Sequence, residues 1–114
     1  MVIEFYDFGE IVVDGKRYTR DIIITPSKII PNWWRKEGHR ICLDDLREIL
    51  NEQVDFVVLG TGYYGLVKVD SEVREYFERK GVKVIAKPTR EAVEEFNKLV
   101  SSGKRVLGAF HLTC

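Results

Sequence analysis

The buried-looking run Phe56-Val57-Val58-Leu59 leads directly into Gly60-Thr61-Gly62-Tyr63-Tyr64-Gly65, and this junction constrains the chain more than any other stretch. Such a run describes a covered strand, and the glycines after it permit a sharp turn and a close approach of backbone to a ligand. Those are the properties used by the G-x-G-x-x-G fingerprint of dinucleotide-binding folds. In that fingerprint the third glycine opens a helix, so that phosphate meets both loop amides and the positive helix end. Here Gly65 precedes Leu66-Val67-Lys68-Val69, which alternates as a short strand does, and helix signals begin only at Asp70 or Ser71. The acid that would bind ribose is also missing, because Val82 to Ala86 runs into Lys87. These departures argue against a dinucleotide and favour a structural turn, and no cofactor is expected.

The chain on either side of this junction reads as α/β. Ile3 to Val13, the Asp14-Gly15 turn and Lys16-Arg17-Tyr18 predict a β-hairpin whose second strand continues through Asp21-Ile22-Ile23-Ile24 to Thr25-Pro26-Ser27. Ile29 to His39 carries two prolines nearby, a tryptophan pair and a glycine, and reads as a structured loop. Asp45 and Glu48 have capping-box spacing for a helix to about Glu52, followed by a strand from Asp55 to Leu59. A helix capped by Asp70 or Ser71 carries Val73, Tyr76 and Phe77 inward and stops at Gly81. The strand Val82 to Ala86 and the helix from Pro88-Thr89, with its stripe Ala92, Val93, Phe96, Leu99 and Val100, come next; Gly103 ends that helix. Val106 to His111 is the last strand, and from the residues alone it can run in either direction. The pattern predicts one three-layer domain over residues 1–114. It has a small mixed central sheet, the N-terminal hairpin packed beside it and helices on its faces.

Composition narrows the functional classes. Eighteen basic residues balance eighteen acidic ones, which leaves no net field for nucleic acid or an anionic membrane. Neither a secretory start nor a membrane-length apolar run is present, so a cytoplasmic protein is expected, with Cys42 and Cys114 as free thiols. The Lys, Glu and Arg content with a single Gln and Met is of thermophile type.

Asp21-Ile22-Ile23-Ile24-Thr25-Pro26, Trp33-Trp34-Arg35 with Gly38-His39, the Gly60-Thr61-Gly62 turn, and Pro88-Thr89 through Ala92, Asn97, Gly103 and Arg105 together carry a family resemblance. Over nearly its whole length the chain resembles a family of small, mostly uncharacterised α/β domains. That family includes an adipogenesis-associated animal protein and a mitochondrial assembly factor for respiratory complex I. The resemblance implies a three-layer α/β fold and no established reaction. It favours an interaction or ligand-binding domain, since the members known to act in assembly bind other proteins.

Three constellations remain. If the strands ending at Leu59 and Ala86 are parallel neighbours, Gly60, Thr61 and Gly62 meet Lys87, Thr89 and Arg90 at their carboxyl ends and form a crevice for a small anion. Trp33, Trp34, Arg35 and His39 have interface composition, and adjacent tryptophans cannot both point inward, so one is expected to be exposed to a protein partner or a second copy. His39-x-x-Cys42 and His111-x-x-Cys114 repeat a pair of zinc-type ligands, but residues three apart in a strand face opposite ways and no glycine knuckle accompanies them, so no metal is expected. The leading expectation is a non-enzymatic interaction or assembly-type module. The alternative is a small-molecule or nucleotide-handling enzyme in the same crevice, with Lys87 and His39 as its polar chemistry.

Overall fold

A computed structural model describes residues 1–114. Its centre is a five-stranded mixed sheet built from β4 (Ile22–Ile24), β5 (Ile29–Ile30), β7 (Phe56–Thr61), β9 (Lys83–Lys87) and β10 (Val106–His111). Their order across the sheet is β5-β4-β10-β7-β9. The last strand runs parallel to β7, which in turn is parallel to β9, while β4 is antiparallel to β10 and β5 to β4. The direction of the final strand is thereby fixed. The chain leaves β7 outward through helix α1 (Ser71–Arg79) to β9, then returns through helix α2 (Thr89–Ser101) across β7 to β10. Two right-handed crossovers travelling in opposite directions put their helices on opposite faces of the sheet.

The core divides accordingly. On one face Val57, Leu59, Leu107 and Ala109 pack with Val73 and Phe77 of α1 and with Leu46 and Ile49. On the other Ile22, Ile24, Val58 and Phe110 pack with Ala92, Val93 and Phe96 of α2 and with the N-terminal strands. A sheet covered on both faces explains why Val57, Val58 and Leu59 are all fully buried, with no polar alternation.

The N-terminal region departs from a single hairpin. The predicted strand Ile3 to Val13 is broken at Phe8-Gly9, where Gly9 takes φ +78°. Strands β1 (Ile3–Asp7), β2 (Glu10–Val13) and β3 (Lys16–Tyr18) form an antiparallel meander, with Asp14-Gly15 as its second turn. The strand does not continue from Tyr18 into Ile24, because Ile22, Ile23 and Ile24 are all buried and need apolar cover on both faces. They find it in the central sheet and not in the partly exposed meander.

Two further expectations are corrected. The segment after Cys42 is a 3₁₀ helix, Leu43–Ile49, starting two residues before the expected cap. The Asp45 carboxylate does not cap the turn ahead of it; it reaches back to accept from the Cys42 N–H (2.9 Å), Cys42 Sγ (3.2 Å) and the Lys36 N–H (3.1 Å). Burial and the bond to Asp45 push the Cys42 thiol up, away from reactivity. The expected strand Leu66 to Val69 shrinks to β8 (Lys68–Val69), which pairs in parallel with β6 (Arg40–Ile41) inside the stretch beyond the predicted loop.

The tryptophan pair diverges as adjacent extended side chains must. Trp33 is 8% exposed and its Nε1–H donates to the Asp45 carbonyl at 2.9 Å, whereas Trp34 is 71% exposed. Trp33→Phe is expected to lower stability by about 1–2 kcal/mol, since it strands a buried carbonyl. Trp34→Ala is expected to stay within about 0.5 kcal/mol of the parent. Chemical denaturation of both variants checks the contrast, and equal losses would contradict it.

Candidate functional site

Ligands of open α/β sheets favour the carboxyl ends of parallel strands where successive loops depart to opposite faces. In this sheet that point lies between β7 and β9, where Gly60 to Gly62 and Lys87 to Thr89 meet. It is closed by the chain itself. Thr89, fully buried, accepts the Gly62 N–H on Oγ1 (2.9 Å) and donates to the His111 carbonyl (2.6 Å), while its own N–H donates to the Gly62 carbonyl (2.9 Å). A Cβ on Gly60 would lie 2.9 Å from both Phe110 Cδ1 and Thr89 Oγ1. The glycines therefore admit Thr89 and Phe110, which come as close as a ligand would.

The six residues expected to line an anion crevice divide into two sets. Gly60, Thr61, Gly62 and Thr89 do come together, all of them buried. Lys87 turns away to Glu95 (3.7 Å), in a shallow depression shared with Glu91, Glu94 and Lys98. Arg90 lies over the rings of Tyr6 and Tyr63, at 5.9 and 5.6 Å from their centroids, with Asp7 at 3.5 Å. His39 is farther along the surface, in a depression with Glu37, Arg40, Lys68 and Asp70, apart from the one that Lys87 lines.

Arg35 corrects the expected interaction surface. Its side chain is only 5% exposed. Nη1 donates to the carbonyls of Gly38 (3.0 Å), Glu37 (3.4 Å) and Arg40 (3.5 Å), and the guanidinium lies 5.4 Å from the Trp33 ring centroid. A rigid fork of donors suits this task of fixing an irregular loop. Of the four residues expected on that surface, Trp34 and His39 are exposed while Trp33 and Arg35 hold the loop down.

Arg35 also enters a polar cluster that sequence reasoning missed. The antiparallel register pairs Gly108 with Ile24, Ala109 with Ile23 and Phe110 with Ile22, so the next position sets His111 opposite Asp21. His111 Nδ1 lies 2.7 Å from Asp21 Oδ2, and Arg35 Nη2 lies 3.2 Å from the same oxygen and 2.8 Å from Nδ1. Asp21 Oδ1 accepts the Leu112 N–H at 2.9 Å. Burial raises the Asp21 carboxyl, but the bonds from His111 and Leu112 and the charges of His111 and Arg35 outweigh it and hold the pKa below its ordinary value. Nδ1 thus faces both a guanidinium N–H and a carboxylate oxygen, while Nε2 makes no hydrogen bond to the protein. Asp21 and His111 line an open groove of about 610 Å³ with Thr19, Arg20, Asn32, Trp34 and Thr113.

Across residues 112–113 from this groove lies an aromatic surface. Phe8 and Tyr63 pack at 5.5 Å between centroids, Tyr63 and Tyr64 at 5.1 Å, and Phe8 and Tyr64 at 6.5 Å. Phe8, Tyr64 and nearby Leu66 are 49%, 64% and 57% exposed. Tyr6 supports them from beneath, donating its hydroxyl to the Leu112 carbonyl at 2.9 Å, and burial pushes its pKa up to about 12. No group of three or more His, Cys, Asp and Glu side chains is arranged to hold a metal ion, and no helix is long and apolar enough to cross a membrane.

Solved structures with this fold are known. A conserved hypothetical protein, PH1505 from Pyrococcus horikoshii OT3, is 32% identical with a TM-score of 0.87, and the match covers 100% of both chains. A structure described as MT938 is 23% identical with a TM-score of 0.82, covering 99% of this chain and 98% of the other. A Bordetella pertussis protein described as a Mth938-like domain is 19% identical with a TM-score of 0.65, covering 97% of this chain and 85% of that one. The last two speak for the fold alone. The mixed α/β fold is thus a shared one, and with a family match running from residue 3 to residue 111, the chain belongs to the family described as protein of unknown function (DUF498/DUF598).

Proposed function

We propose that this domain is a non-catalytic protein-interaction module of the assembly type, and that it docks a partner chain over Phe8, Tyr63, Tyr64 and Leu66 with Arg90 at the rim. The observation that carries the reading is the continuous ring-to-ring contact of Phe8, Tyr63 and Tyr64 with its outer rings left in solvent. Exposed apolar surface bordered by polar groups is characteristic of interaction sites, and Tyr and Arg are the residues that anchor them. Rigid, mutually packed rings lose little conformational entropy when a partner covers them. The resemblance to a mitochondrial assembly factor points the same way, since that protein acts by binding others. Small anions are the weaker ligands here, because Thr89 fills the Gly60–Gly62 turn.

The test is quantitative affinity purification from the native host with three baits: parent, Phe8→Ala/Tyr64→Ala and Trp34→Ala. One partner enriched with the parent and with Trp34→Ala, and lost by about tenfold or more with the double variant, is expected. That factor corresponds to about 1.4 kcal/mol, within the range of a single hot-spot side chain. A partner list unchanged by the double variant would remove the proposal. Sedimentation of the same three proteins distinguishes a second copy of the chain from a different protein.

A further inference from the structure

We propose that the groove beside β10 binds a small organic anion bearing a flat unsaturated ring, with the anionic group at His111 and Arg20 and the ring against Trp34. This site is separate from the aromatic docking surface and does not rest on it.

The polar floor of the groove is built and not incidental. Asp21 and His111 reach it from opposite strands, and Arg35 backs them with a side chain that is 5% exposed. All three hold one another at 2.7 to 3.2 Å, which fixes the imidazole plane through Nδ1 alone. Nε2 makes no hydrogen bond to the protein, and it is not enclosed either, since the only buried side-chain nitrogen or oxygen without a partner is Arg35 Nε. A ring oriented through one nitrogen and open at the other is the geometry of a ligand-contacting histidine.

Charge selects the ligand's sign. Asp21 is the only carboxylate side chain lining the groove, and its oxygens are occupied by Leu112, His111 and Arg35. Its charge is balanced by the Arg35 guanidinium directly behind it. Arg20 at the rim pairs with no carboxylate anywhere in the molecule. An anion entering the groove therefore meets one free cation, the imidazole edge at Nε2 that no protein group occupies, and no uncompensated negative side chain.

Shape selects the rest. Trp34 shields no core at 71% exposure, yet it lines the groove together with buried Trp33, presenting a flat apolar surface beside polar groups. A few convergent polar groups beside an aromatic wall line this open groove of about 610 Å³, which has room for a small ligand seated at the surface. Stacking favours a planar ligand over a puckered one of the same charge.

Phenyl phosphate is the probe, with cyclohexyl phosphate and inorganic phosphate as controls, followed by NMR of backbone amides, the Trp34 indole N–H and the His111 ring. Phenyl phosphate is expected to shift the Trp34 and His111 signals together, and to bind about tenfold more tightly than either control. Arg20→Gln and Trp34→Ala replace exposed side chains and leave the fold intact. Each is expected to weaken binding by about tenfold, the scale of one charge-assisted bond or one stacked ring. Tyr64→Ala is expected to leave binding unchanged, so loss of the docking surface and loss of this site are read separately. Equal affinity for the three phosphates, or unaltered affinity in both variants, would overturn the assignment. Shifts confined to Gly60–Gly62 and Lys87–Arg90 would overturn it too and return the anion to the β7–β9 junction.

Discussion

Replacing Asp21 by alanine is expected to destabilise the fold by about 3–5 kcal/mol, the cost of leaving one member of a buried ion pair without its partner. The Arg35 guanidinium loses the charge at 3.2 Å that balances it, and its Nε already lacks a hydrogen bond. The Leu112 N–H loses its acceptor and His111 Nδ1 loses its carboxylate neighbour in the same step. Asp21→Asn keeps the shape and one acceptor oxygen, so it falls between alanine and the parent. The carboxyl pKa is lower in the folded chain than in the unfolded one, so the unfolded chain binds the proton more readily. The stabilisation is therefore present above the ordinary carboxylate range and is lost as pH falls through the folded-state value. Urea midpoints at about pH 7 and about pH 3 are expected to differ more in the parent than in Asp21→Asn, because the variant has no proton to take up there. A loss below about 1 kcal/mol in the alanine variant at neutral pH would show that the cluster does not hold strand β4 to β10.

Legibility in the sequence followed the range over which each feature is determined. Helices α1 and α2 and strands β7, β9 and β10 each carry their own period and stop signals, Gly81 and Gly103 among them, and a local reading recovers them. The divergence of Trp33 and Trp34 followed from backbone geometry in the same way. Asp21 and His111 are ninety positions apart, and their contact depends on the direction and register of β10, neither of which is written in any local stretch. Arg35 looked like an interface residue because its type is right; its burial comes from carbonyls of the loop it closes. A usable signal was present at both ends of the pair. Each is an ionisable residue at the edge of an otherwise apolar run, Asp21 before Ile22-Ile23-Ile24 and His111 after Ala109-Phe110, and such residues abut the core where a neighbouring strand must satisfy them. The filling of the Gly60 turn was illegible for a different reason: Thr89, which packs into it, contacts Gly62 from 27 positions away.

That occupancy makes Gly60→Ala the second expected loss, about 1–3 kcal/mol, the range for overpacking a closed site. The added Cβ would stand 2.9 Å from Phe110 Cδ1 and 2.9 Å from Thr89 Oγ1, so at least one neighbour must move. Thr89 cannot rotate without giving up its bonds to the Gly62 N–H and the His111 carbonyl, which tie α2 to both β7 and β10. Phe110 is held by an edge-on contact with Phe96, 5.7 Å between centroids at 80°, and its ring lies over Gly108, where a Cβ would come within 2.5 Å. Relief must come from the ring, since the hydroxyl is bound on both sides. Phe110→Leu alone leaves a void beside Gly60 and Gly108 and destabilises by its own amount. Combined with Gly60→Ala, the new methyl enters part of that void, so the double variant is expected to lose less than the sum of the two single losses. A double-mutant cycle in urea measures the difference, with coupling between contacting residues on the scale of about 0.5–3 kcal/mol. Strict additivity, or Gly60→Ala within about 0.5 kcal/mol of the parent, would mean that the turn has room to spare, and that Thr89 does not fill the junction between β7 and β9.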